Sequence, residues 1–239
     1  MVRLDPIWSR ARADLVTPTA QGEVDLFLWE HSVRVAQSAL QISKLPILRS
    51  QSPDDAAIVA AGLYHDAGWV VRLKDGEIER SEILVRSCPD THREQGAAMM
   101  ESALAGLLPS DSLERASQAI RTLNARDIES VEGRVVTEAE NLDEFGILSL
   151  WTAIRRGALE GKGWQAVIDT WRRRKEYHFW TARLNDSFRF GKVRELAKER
   201  LASVERFMED LEAQHQCRDG WLGSAPPPAA EHADRSRPE

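Results

Sequence analysis

Residues 56–70 read AAIVAAGLYHDAGWV, an apolar run interrupted by the adjacent pair His65 and Asp66. Its many small side chains let neighbouring helices approach closely, since the distance between packed helices is set by the residues at their contact. An aspartate enclosed by such a run has to be paired, hydrogen-bonded or coordinated, because an isolated buried carboxylate is too costly. A fold for this chain therefore needs a crowded apolar interior and a partner for that charge delivered to one point within it.

Elsewhere the apolar spacing is helical almost throughout, and convincing two-residue alternation is absent, so the expected fold class is all-α. A first main helix is expected from Val24 to Lys44, with Val24, Phe27, Leu28, His31, Val35 and Leu40 on its apolar side. Ser52-Pro53-Asp54-Asp55 should open a second, with Ser52 as the cap, proline at the first helical position and acids in the first turn. The segment from Leu73 to Arg80 reads as a turn pivoting on Gly76, and a stray hairpin at Lys74–Glu79 is the one sheet anticipated. A third helix follows Pro89-Asp90 and runs to Pro109, and a fourth spans Ser110 to Asn124, with Asp111 and Glu114 spaced as a capping pair. Three more are expected, from Gly133 to Ala158, from Trp164 to Phe190 and from Lys192 to His215.

The 239 residues suit one well-buried domain, placed at 21–215 after an N-terminal lead at 1–20. Residues 216–239 are rich in proline, alanine and charge and poor in large apolar side chains, which predicts a disordered tail, although Trp221 and Leu222 could dock on the domain. The net charge of −6 argues against general nucleic-acid binding, but a small anionic substrate remains compatible with it, since a metal and local arginines can make one site positive. Cys88 and Cys217 form no paired motif, which excludes a zinc ribbon or a redox dithiol. The charged first residues lack the apolar core of a signal peptide, and no run of eighteen apolar residues exists to span a membrane. The expected location is the cytoplasm.

Three phrases carry chemistry: WEHSVRVA with His31, GLYHDAG with His65 and Asp66, and VVTEAENLDEFGI with Glu138, Glu140 and Asp143. Each lies in a stretch of helical spacing, so imidazole nitrogens and carboxylates would project from separate helices. Taken singly, His31 reads most simply as a core histidine. Together, the set suits a borderline-to-hard divalent ion such as manganese, iron, zinc, cobalt or nickel. Arg34 stands one turn beyond His31, and Arg93 falls in the first turn of the third helix, where backbone N–H groups also favour anions. With Lys74 after the doublet helix and Trp69 four residues past His65, these are the candidate substrate-binding residues. The run Arg172-Arg173-Arg174-Lys175 reads as a solvated helix face.

In order and wording these phrases resemble the HD superfamily of metal-dependent phosphohydrolases, over residues 24–150. The resemblance implies an orthogonal helical bundle with additional C-terminal helices and hydrolysis of a nucleotide or other small phosphate ester. It assigns His31, His65, Asp66 and Glu140 as metal ligands, with Asp66 also orienting the attacking water and His92 available as a general acid. Glu140 stands where the family has an aspartate, so Asp143, three residues on, competes for the fourth position, while Glu138 points away. Leu123 or Asn124 stands where dinuclear members place a further histidine, so one metal ion is expected and a di-iron oxygenase lacks its ligands. A catalytically inactive nucleotide-sensing module is the alternative function, and a homodimer stays open.

Overall fold

A computed structural model describes residues 3–19, 22–85, 89, 91–123, 125 and 127–219. Among them are eleven α-helices: α1 Asp5–Leu15, α2 Phe27–Ile42, α3 Asp55–Tyr64, α4 Gly68–Lys74, α5 His92–Leu104, α6 Ser110–Thr122, α7 Val131–Asp143, α8 Leu150–Leu159, α9 Trp164–Glu176, α10 Phe179–Asp186 and α11 Gly191–His215. The all-α expectation holds. A two-residue antiparallel ladder, β1 Thr17–Pro18 against β2 Val24–Asp25, is the sheet found among these residues, and it lies beside α1 rather than at Lys74–Glu79. No helix among the described residues is long and apolar enough to cross a membrane.

Helix α3 is the axis of the bundle. Every residue from Ala56 to Tyr64 is buried, which follows from a sequence apolar on all sides. It packs against α2, α6 and α7. At Gly62 an added Cβ would lie 2.7 Å from the Ala36 Cα, so the crossing with α2 is closer than any side chain permits. Its N-terminus is capped by Asp54, whose carboxylate accepts from the Ala56 and Ala57 amides, and not by Ser52, which lies in a left-handed conformation. The second oxygen of Asp54 accepts from the Ser112 hydroxyl at 2.6 Å, tying the cap to α6. The capping pair expected at Asp111 and Glu114 does not form; Pro109 occupies the N-cap of α6.

The helix expected to carry residues 56–70 stops at Tyr64 and resumes as α4 at Gly68, and two more expected helices are each broken in two. The 133–158 helix stops at Asp143, and Gly146 at φ +111° turns the chain before α8 begins. The 164–190 helix stops at Glu176, with His178 left-handed at φ +53° before α10. Both breaks let Phe145, Trp180 and Phe188 converge edge-on, with ring centroids 5.3 and 5.4 Å apart. Tertiary aromatic packing overrides helix continuation here.

The core has two parts. The larger joins α1 to α7 with the start of α11, and it includes Ile7, Ala11 and Leu15, so the N-terminal lead supplies a packed helix. The smaller comprises Leu150, Ile168, Trp171, Val204 and Met208 from α8, α9 and α11, with Trp180 packed against both. Cys217 is exposed. Cys88, Asn124, Trp221, Leu222 and the tail from 220 onward lie outside the described residues.

Candidate metal centre

The three chemical phrases meet at one point. His31 comes from α2, His65 caps the C-terminus of α3, Asp66 follows in the α3–α4 turn, and Glu140 and Asp143 project from α7. His65 is fully buried and Asp66 nearly so.

The hydrogen bonds fix which ring nitrogens face inward. His65 Nδ1 lies 2.8 Å from the Gly62 carbonyl, which can only accept, so the proton sits on Nδ1 and Nε2 carries a lone pair. His31 Nδ1 lies 2.8 Å from Asp143 Oδ2 and donates to it. The two Nε2 atoms then face each other at 3.1 Å, with Asp66 Oδ2 3.5 Å from one and 3.6 Å from the other. A triangle of those edges has a common point about 2 Å from all three atoms, the length of a zinc–imidazole or zinc–carboxylate bond. Among the described residues, His31, His65 and Asp66 are the group so gathered. The donor set therefore fits a divalent ion, with both histidines oriented by acceptors on their outer nitrogens.

The electrostatics agree. Burial opposes charging of His31, yet its hydrogen bonds to Asp143 and Asp66 outweigh it and raise the imidazole to about 9. Burial likewise opposes ionisation of Asp66, but His65, Arg93, His31 and His92 hold it well below the ordinary carboxylate range. His65 is lowered, chiefly by burial.

The remaining acids have separate tasks. Asp143 gives Oδ2 to His31 and both oxygens to Arg34, at 2.8 and 3.0 Å, which fixes the outer nitrogen of His31. Glu140 shares the cavity wall but stands outside the tight triangle, with Oε1 held by Arg93 at 2.5 Å. Glu138, expected to point away from the site, is fully buried and accepts from the backbone amides of Arg189 and Phe190, pinning the start of α11 onto α7.

Of the four expected substrate residues, Arg34 is in the wall of the cavity over this site, and Arg93, Trp69 and Lys74 are not in its lining. Arg34 and Arg93 are engaged by carboxylates, Arg93 at Asp66 Oδ1 (2.7 Å) as well as Glu140. Trp69 is a core residue, its ring edge-on to His92 at 5.0 Å, with no face open for stacking a base. Lys74 lines a separate hollow with Arg10, Asp14 and Gln95. His92, the expected general acid, is buried behind Asp66 and donates from Nε2 to Oδ1 at 3.1 Å. Gly68 makes room for it, since a Cβ there would lie 2.5 Å from the His92 carbonyl.

A cavity of about 340 Å3 opens over the triangle. His31, Arg34, Asp66, Glu140 and Asp143 form one part of its lining, and Leu148, Thr152, Arg156, Arg174, Phe179 and Trp180 another. The second group comes from the C-terminal helices and was not nominated from sequence. The signal was present in helical phase: Arg172 and Lys175 pair with Glu212 and Glu205 on α11, whereas Arg174, on a different side of α9, turns to the cavity.

No family model and no curated protein matches the chain. Solved structures do. Bacillus subtilis YpgQ in complex with ADP aligns with a TM-score of 0.55 at 19% identity, over 89% of this chain and 97% of that one. A predicted HD superfamily hydrolase from an uncultured Thermotogales bacterium aligns with a TM-score of 0.54 at 17% identity, over 90% and 94%. An HD-superfamily hydrolase from Bacillus thuringiensis aligns with a TM-score of 0.55 at 17% identity, over 89% and 96%. The chain thus shares its fold with solved structures that include HD-superfamily hydrolases.

Proposed function

We propose that the protein is a divalent-metal-dependent phosphohydrolase acting on a nucleotide or another small phosphate ester. The observation that carries this reading is the triangle of His31 Nε2, His65 Nε2 and Asp66 Oδ2 at the base of an open cavity. His31, His65 and Asp66 hold the ion, and Glu140 completes the set from α7. When bound, a divalent ion lowers the pKa of a coordinated water and polarises a phosphoryl oxygen. Asp143 and the Gly62 carbonyl keep the two imidazoles in the coordinating tautomer. His92 and Arg93 hold Asp66 Oδ1, which leaves Oδ2 turned inward to bind and to orient the attacking water. A nucleotide as substrate is supported by the ADP bound to one structural neighbour.

The Arg93–Glu140 ion pair favours a second reading, a sensing module that binds nucleotide without turnover because its fourth ligand is withheld. Elemental analysis of the purified protein, followed by a phosphate-release screen over nucleoside mono-, di- and triphosphates and simple esters, separates the two. One metal ion per chain and release that disappears in Asp66→Ala are expected. A metal-loaded protein that releases no phosphate from any of these would overturn the hydrolase in favour of the sensor.

A further inference from the structure

The cations nearest the triangle are already neutralised. Arg34 is spent on Asp143, and Arg93 on Asp66 and Glu140. Arg156 and Arg174 differ. Both line the same cavity, from α8 and α9, and among the described residues neither has a carboxylate within ion-pairing distance. Their positions are instead set by neutral groups. Arg156 donates to the Val85 carbonyl at 2.5 Å, leaving further guanidinium donors. Arg174 rests on the faces of Phe179 and Trp180, at 5.0 and 5.6 Å from the ring centroids.

The two guanidinium groups also oppose each other. Burial first and Arg156 second lower the Arg174 guanidinium, with Glu144 acting the other way. Glu144 is itself ion-paired to Arg183, and the Glu160 that feels Arg156 is paired to Lys162. Two like charges held towards one cavity by a carbonyl and two aromatic rings make a preformed receptor for an anion. The planar fork of arginine matches phosphate in particular.

We propose that Arg156 and Arg174 anchor a second phosphate of the substrate, so that the cavity selects nucleoside di- and triphosphates over monophosphates. This rests on the phosphohydrolase reading above, in which the first phosphate meets the metal centre. The anchor is a specificity device contributed by the C-terminal helices and is separate from the residues that hold the ion.

The test is calorimetric binding of α,β-methylene-ADP, which resists hydrolysis, and of AMP to the full-length, metal-loaded protein, with metal content and Tm measured alongside. The wild type should prefer the diphosphate, and Arg156→Gln and Arg174→Gln should each weaken that ligand about tenfold, as loss of one charge-assisted hydrogen bond does, with little change for AMP. Metal content should be unaltered in both variants. Equal affinity of the wild type for the two nucleotides, or an undiminished preference in both variants, would overturn the anchor while leaving the hydrolase reading intact. Conversely, a diphosphate preference that collapses in the arginine variants of a protein found to bind no metal would uphold the anchor and remove the metal reading.

Discussion

His31 stands between an imidazole and two carboxylates, and its protonation decides what the centre can hold. Its pKa is raised from 6.5 to about 9 in the folded, metal-free protein, so the resulting stability is fully present below pH 6.5 and is lost as pH rises through 9. The Tm of chelator-treated protein should therefore fall by about 5 °C or more between those values, given a protein of this size. Metal affinity should climb over the same window, because the ion displaces the His31 proton. Asp143→Asn should flatten the stability slope, which differential scanning calorimetry at several pH values will read. Among the acids of α7, Glu140→Ala should weaken metal binding strongly by removing a charged ligand, while Glu140→Asp retains it. Asp143→Ala should weaken it less, through misorientation of His31, and elemental analysis of the three variants gives the order. An Asp143→Ala protein that loses metal while Glu140→Ala keeps it would reverse the assignment. The His-Asp doublet was legible in sequence because two polar groups ending an apolar run demand a partner. The distinct partners of Glu140 and Asp143 were not, because they depend on which carboxylate Arg34 and Arg93 reach.

At the scale of elements, the crossing of α2 over α3 is the tightest constraint. Gly62→Ala would press a methyl group against the Ala36 backbone, and overpacking of this kind costs about 1–3 kcal/mol. Chemical denaturation should show that loss, together with weaker metal binding, since the Gly62 carbonyl also holds His65. Wild-type stability in this variant would mean that the helices part freely. Several helices were readable from spacing because they turn one apolar stripe to the core, as α2 does with Leu28, Val35 and Ile42. Spacing failed at 133–158 and 164–190, where apolar residues continue in helical register but Phe145 and Trp180 satisfy a distant partner better after a turn. The cap of α3 was misplaced for a similar reason: Asp54 is held from α6 by Ser112, a residue 58 positions away.

For the whole molecule, the N-terminal helix is the clearest measure of what is integral. Ile7 and Leu15 are fully or almost fully buried, and burial of each such side chain is worth about 1.5–3 kcal/mol. A chain starting at Thr17 should lose several kcal/mol and unfold at much lower temperature or aggregate, as thermal melts of the truncated protein will show. An unchanged melt would return this segment to the status of a lead. Its charged, short sequence concealed the role, since three buried positions in eleven residues form too brief a pattern to stand out.

The cavity lies where the two apolar clusters adjoin, and α11 runs through both, with Val193 and Ala197 in the larger and Val204 and Met208 in the smaller. Inheritance can therefore act on the two walls separately. Changes at Ile168 or Met208 would alter the wall built by the C-terminal helices while the wall that carries His31, His65 and Asp66 keeps its own foundation of α2, α3 and α7. Under the hydrolase reading proposed above, a lineage of such proteins is free to exchange one phosphorylated compound for another without rebuilding the metal centre.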